Sequence, residues 1–298
     1  MRVPTHSASE AVITQIQKLA SRQSQLQMQL ATNQRIFLPS DDPSATGRVL
    51  KMENERGQLA QFAKNANTAL EVSQASFAGL KGLKSISDRA GEVATLGTGT
   101  ASPDALRAYA AEVNQLIEQA LQTGNSKFRN DYLFAGTATD AAPLTVTRNV
   151  DGQITAATYV GNADQVSVPI STSASIEPGT KVATNTGIRD MINNLVALRD
   201  ALASGDSTAV TATRPALEQT EDLLVNSLSD HGAVQLRIEI SQAQQQSRSD
   251  DLESLISSEV DADLPATVVR LSQTATAYEA ALSSATKILQ MSLLDYLR

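Results

Sequence analysis

The chain has 298 residues, a net charge of −8, only 3% aromatic residues, and neither cysteine nor tryptophan. Without cysteine it has no disulfide, no Cys-ligated zinc and no thiol nucleophile, and an acidic chain without basic runs is a poor nucleic-acid binder, because phosphate neutralisation supplies most of that affinity. No run of about 18 apolar residues exists to span a membrane, and Thr5, His6, Ser7, Ser9 and Glu10 interrupt the apolar core that a cleavable signal peptide needs.

In chain order, residues 1–9 read as a loose tail. From Glu10 to Gln34 the spacing of Val12, Ile16, Leu19, Leu26 and Leu30 predicts a helix with one apolar stripe, Gln23 occupying one seam position. Pro39 and the Ser40-Asp41-Asp42-Pro43 cluster end it, with Asp42 as N-cap and Pro43 as first residue of the next helix. That second helix runs from about Ser44 towards Gly97 through Leu59, Phe62, Ala66, Val72, Leu80, Leu83, Ile86, Ala90 and Val93. Gly57, Gly79, Gly82 and Gly91 weaken it by about 1 kcal/mol each relative to alanine. Ser102-Pro103 starts a third helix that carries Leu106, Tyr109, Val113, Leu116 and Ala120 and stops at Gly124.

Between Asn130 and Thr186 the period changes. Strands over 144–150 and 154–160 flank Asp151-Gly152, which predicts a hairpin with a type I′ turn. A third strand is expected over Gln165 to Ile170, and Pro178-Gly179 marks a turn before a helix from Ile188 to Ala203. After Ser204-Gly205-Asp206 a long helix is predicted from Pro215 to Val260, with Leu217, Leu224, Leu228, Ile238, Leu252 and Ile256 on one face. Its stretch Gln242 to Ser249 is polar all round, so it is either loosely ordered or held by neighbours.

Asp261-Ala262-Asp263 introduces the terminal segment, its acids read as helix-capping groups and not as a cation site. Leu264, Val268, Leu271, Ala275, Tyr278, Leu282, Ala285 and Leu289 then alternate at four and three residues, an a/d seam that cannot be buried by its own helix. Val12 to Leu30 at the other end supplies the matching stripe, within one chain or between copies. The fold class that follows is mainly α: a long helical bundle or coiled coil formed by both chain ends, with a small β-rich inserted domain. The divisions are 1–129 (N-terminal helical region), 130–186 (β-rich insertion) and 187–298 (C-terminal helical region). The two histidines, His6 and His231, lie far apart with no ligand or catalytic partner at suitable spacing, so no metal, cofactor or catalytic triad is expected. His231, beside Gly232 in a polar stretch, is expected on a solvated helix surface.

Several blocks resemble the bacterial flagellin superfamily. Leu30-Ala-Thr-Asn-Gln-Arg-Ile36 followed by Pro39-Ser-Asp-Asp-Pro43 is similar to its N-terminal block. His231-Gly-Ala-Val-Gln-Leu-Arg-Ile238 and Glu259-Val-Asp-Ala-Asp263 are similar to its C-terminal blocks, in the same order. Within the superfamily, Asn130-Asp-Tyr-Leu-Phe-Ala-Gly-Thr137, Thr158-Tyr-Val-Gly-Asn162 and the ending Leu293-Leu-Asp-Tyr-Leu-Arg298 look like the proteins of the hook–filament junction, while Pro4 and His6 depart from the pattern. The resemblance implies a structural, non-enzymatic subunit of the flagellum. Such a subunit leaves the cell through the type III export apparatus without a cleavable signal, works extracellularly and templates flagellin polymerisation. It also implies chain ends that are disordered in the monomer and pair as helices on assembly, a homo-oligomeric ring, and contacts with the first junction protein and with flagellin. No nucleic-acid partner or membrane insertion is implied.

The residues expected at the contact between copies are the two seams together with Arg35, Asp41 and Asp42. Leu282, Ile288, Leu289 and Leu293 are the face expected to bind a cytoplasmic export chaperone. Filament flagellin is the nearest alternative reading, and a secreted coiled-coil adhesin the next.

Overall fold

The structure is a computed structural model that describes residues 5–99 and 101–296, excepting the side chains of 5–9 and 288–296. Several of its helices begin where short polar side chains satisfy the first free amides. Asp42 Oδ1 accepts the Ala45 amide at 2.9 Å and opens α2 (Pro43–Gly97), which follows α1 (Thr5–Thr32). Ser102 accepts the Ala105 amide and opens α3 (Pro103–Gly124). Three two-stranded antiparallel sheets follow: β1 (Lys127–Phe128) with β2 (Asp131–Tyr132), β3 (Leu144–Arg148) with β4 (Ile154–Tyr159), and β5 (Val168–Pro169) with β6 (Ser175–Ile176). The chain then forms α4 (Val182–Ser204), α5 (Ser207–Val260) and α6 (Leu264–Tyr296). The expected mainly helical fold with a small β-rich part is what the chain adopts.

Several local expectations need correction. The β3–β4 hairpin forms, but its turn is not type I′, which would need a positive φ at both central residues. Gly152 alone has one, +79°, and its amide returns to the Asn149 carbonyl. The Asn149 side chain also accepts the Asp151 and Gln153 amides. The expected strand from Gln165 shrinks to Val168–Pro169. Helix α4 starts at Val182, six residues early, because its first turn is polar yet buried: Thr184 shares a 2.8 Å hydrogen bond with Ser227. Helix α5 starts at Ser207 and carries Pro215 inside it. Asp206 caps that start through the Thr208 and Ala209 amides, and the buried Val210 anchors the first turn. The polar stretch of α5 is an ordered helix held by neighbours, with Gln242 bonded to Asn67 and Gln245 to the Ile170 carbonyl.

The described chain divides into two compact units. The first comprises Met1–Gly57 with Arg248–Arg298, and the second Gln58–Ser247. The second unit contains the main core, where α2 (Leu80, Leu83, Ile86), α3 (Val113, Ile117), the β3–β4 hairpin (Leu144, Ile154) and α4 (Ile188, Met191, Ile192, Leu195) interlock with α5 (Val210, Leu217, Leu224). A smaller cluster joins Ala66, Ala69 and Ile238 to Ile170 and Ile176 of the β5–β6 region. The boundaries expected at 129/130 and 186/187 fall inside this second unit.

Candidate assembly surface

The first unit is built on α1 packed against α6. On α1 the inner face repeats at four and three residues: Val12, Ile16 and Leu19 are half-buried, Leu26 is buried and Leu30 half-buried. On α6 the covered face is rotated from the expected seam. Leu271, Ala275, Tyr278 and Ala285 are half-buried as expected, and Thr267 and Thr274 are buried. Leu264 (40%), Val268 (52%) and Leu282 (40%) stay exposed. A hydroxyl at the seam is tolerable because it can be satisfied within the helix: Thr274 Oγ1 donates to the Arg270 carbonyl at 2.8 Å. The apolar stripe of α6 is therefore wider than one α1 can cover. The exposed flank that remains, with Ile13 on α1 also exposed, is apolar surface an additional helix could remove from water. The side chains of Ile288, Leu289 and Leu293 lie outside the described residues.

Where α1 ends and α6 begins, two blocks more than 200 residues apart in sequence are tied together. Asn33 takes φ +59°, turning the chain so that Gln34 and Asp261 form an antiparallel bridge. The Arg35 amide donates to the Val260 carbonyl and the Ala262 amide to the Asn33 carbonyl. Arg35 also reaches the Glu259 carbonyl with Nη2 at 2.7 Å, and Asp42 with Nη1 at 3.4 Å. Arg48 grips Glu259 by two parallel bonds, Nε to Oε1 at 2.8 Å and Nη2 to Oε2 at 2.9 Å. Asp41 meanwhile accepts the Phe37 and Leu38 amides and fixes the loop from within.

The Ala45 amide first, then Arg35 and Arg48, hold the Asp42 carboxyl below its ordinary range, against partial desolvation. Glu259 is lowered chiefly by its hydrogen bonds from Arg48, which is itself raised by that carboxylate. These ion pairs lie at the surface, so their worth is in fixing geometry more than in net stability. The knot brings together Arg35, Asp41 and Asp42, the loop residues expected to serve assembly. Arg48 and Glu259 complete it; Glu259 opens one of the blocks quoted above, but its pairing with Arg48 was not legible, because a pair 211 residues apart leaves no local signal.

In the second unit the blocks 130–137 and 158–162 also meet. The Asn162 amide donates to the Ala135 carbonyl, its side chain accepts the Thr137 amide, and Tyr159 Oη donates to the Asn162 carbonyl. Phe134 is buried against Gly79 of α2, where a methyl would lie 2.9 Å from its ring. That close approach explains a glycine in mid-helix. His231 is not on a solvated surface: it is 5% exposed, with Nδ1 3.2 Å from the Ser73 hydroxyl of α2. Burial pushes its pKa down, offset by Asp230 and reinforced by Lys181. Its neighbour in the same block, Ile238, belongs to the small core, so this block serves packing. No group of metal-ligating side chains occurs among the described residues, and no described helix is long and apolar enough to cross a membrane.

Residues 3–139 match the bacterial flagellin N-terminal helical region. Flagellar hook-associated protein 3 of Salmonella typhimurium is 25% identical over 246 residues, 77% of this chain and 76% of that protein. The Escherichia coli protein of the same name is 25% identical over 223 residues, 68% of each chain. The fold is shared with a putative flagellar hook-associated protein from Vibrio parahaemolyticus (TM-score 0.66, 17% identity, 74% of this chain and 100% of that one). It is also shared with FlgL from Bacillus cereus (TM-score 0.60, 17% identity, 70% of this chain and 99% of that one). Over residues 3–139 this chain is thus similar to the bacterial flagellin N-terminal helical region, and over 77% of its length it is similar to flagellar hook-associated protein 3 of Salmonella typhimurium.

Proposed function

We propose that this protein is a structural subunit of the bacterial flagellum that forms the junction between hook and filament and templates flagellin polymerisation. The observation that carries this reading is the half-covered seam of α6, Leu264, Val268 and Leu282 remaining exposed beside the face packed on α1, in a chain similar to hook-associated protein 3. Burying such a flank against further helices is worth roughly 25 cal/mol per Å², opposed by the entropy of ordering the segments. Copies would assemble as a ring through the two seams, with the Arg35, Asp41 and Asp42 knot fixing where the end of α1 meets the start of α6. The first junction protein and flagellin would be the axial neighbours. The protein would work outside the cell after type III export, and it would catalyse no reaction.

Before export the same apolar stripe would be held by a cytoplasmic chaperone, through Leu282, Ile288, Leu289 and Leu293. Undiminished binding of purified chaperone to a chain lacking residues 264–298 would remove that part. The main reading is tested by deleting the gene in its own organism. Bare hooks with flagellin monomer in the medium are expected, because the template is gone while export continues. Bare hooks without flagellin in the medium would make the protein the filament subunit, and normal filaments would overturn the flagellar role.

A further inference from the structure

On the flank of the α1–α6 pair away from the exposed leucines, Lys18, Arg22 and Arg270 converge on an open groove of about 450 Å³ that also presents Gln25 and Gln29. No carboxylate lines it. Among the described arginines only Arg22, Arg237 and Arg270 have no ion-pair partner, and two of the three meet here. Lys18 and Arg22 are moreover four residues apart on one helix, a like-charge spacing that destabilises the helix by a few tenths of a kcal/mol. In a chain of net charge −8 this cationic groove is local and exists only through tertiary structure, since its three cations come from two helices at opposite ends of the sequence.

The same pair presents the opposite charge on its other side. Glu279 lies nine residues beyond Arg270 on α6, which at 3.6 residues per turn places it about 180° around the helix. It is exposed and makes no ion pair among the described residues. A unit that is cationic on one side of a helix and anionic on the other fits a second copy of itself head to tail, the type of contact that closes into rings. We propose that the Lys18/Arg22/Arg270 groove receives Glu279 of a neighbouring copy, so that ionic pairing, as well as apolar burial, sets which flank of one subunit meets which flank of the next. This rests on the assembly reading above and names the polar half of that contact.

The test is complementation of the deletion strain with charge-reversed chains, scoring filaments by electron microscopy and secreted subunit by immunoblot. Arg22→Glu with Arg270→Glu, and separately Glu279→Arg, are each expected to leave roughly tenfold fewer filamented cells, because like charges then face each other, while secretion continues. The chain carrying all three reversals is expected to recover most of the filaments. Full complementation by either single-sided reversal, or failure of the combined chain to recover when both single-sided chains are secreted but inactive, would overturn the proposal while leaving the junction role intact. Normal filaments in the uncomplemented deletion would instead remove the junction role itself. Because the chain has no cysteine, a Gln25→Cys, Ser283→Cys chain, which keeps Glu279 and places the second thiol on the exposed position one helical turn beyond it, adds an independent readout. Disulfide-linked oligomers of two and more copies in assembled flagella support the head-to-tail contact, and monomer alone under oxidising conditions contradicts it.

Discussion

The two compact units of this chain are both helical, yet they bury apolar surface very differently. In Gln58–Ser247 residues from four helices and a hairpin interlock around side chains such as Leu80, Ile117, Met191 and Leu195, all fully buried. In Met1–Gly57 with Arg248–Arg298, the buried apolar residues among those described are Leu26, Ala45 and Leu252, and the rest of the seam is half-covered or exposed. Two layers bury one stripe each, and α6 carries more stripe than α1 can hide. The comparison teaches that one unit is complete by itself and the other has the composition of an interface.

The comparison can be broken first in the complete unit. Leu195→Ala should cost about 2–5 kcal/mol, since the surrounding helices can close a cavity only in part. Urea unfolding measures it, and a cost below that of Leu26→Ala in the first unit would reverse the ranking. Next, Gly79→Ala should cost about 1–3 kcal/mol, because the new methyl meets the buried Phe134 ring. The same titration, with a Gly57→Ala control whose methyl meets nothing, separates this from helix propensity.

Acid sharpens the contrast further by acting on different groups in the two units. His231 has a lowered folded pKa, so its contribution is present above its ordinary value of 6.5 and is lost as pH falls below it. Asp42 and Glu259 are lowered from 3.8 and 4.5, so the knot's contribution is present above those values and disappears only as pH falls through the lower folded ones. Hydrogen exchange of the Arg35 and Ala262 amides between pH 6 and pH 3 should therefore stay protected until about pH 4. Early loss near pH 6 would show that the knot depends on something else. Smallest in the isolated chain, Val268→Ser with Leu282→Ser should change stability by no more than about 0.5 kcal/mol each, as both positions are exposed. The same chain should support few filaments in the complementation assay, and an equal effect on monomer unfolding would mean the flank is already covered.

Local signals set much of this fold. Asp42 before Pro43, Ser102 before Pro103 and the four–three spacing of Val12 to Leu30 are each read within one or two turns, and each lies where it was expected. Signals failed where a polar residue is buried or a turn is fixed by a side chain. Thr184 hid the first turn of α4 behind a hydroxyl paired with Ser227, and Asn149 replaced the expected turn by accepting two amides itself. His231 looked solvated because neither Ser73 nor the helix that covers it is near it in sequence.

For the assembly surface the division is the same. The sequence by itself determined that both chain ends are amphipathic helices, that Arg35, Asp41, Asp42 and Glu259 lie close to them along the chain, and that no cysteine staples the chain. Periodicity fixes which residues share a helix face, because that depends only on the helix repeat. Tertiary structure alone decided which part of each face is covered. The rotation that buries Thr267 and Thr274 leaves Leu264, Val268 and Leu282 outside, Arg48 finds Glu259, and Lys18, Arg22 and Arg270 gather in one groove. Those outcomes depend on how two distant segments rotate against each other, and packing across sequence separations of more than 200 residues sets that angle.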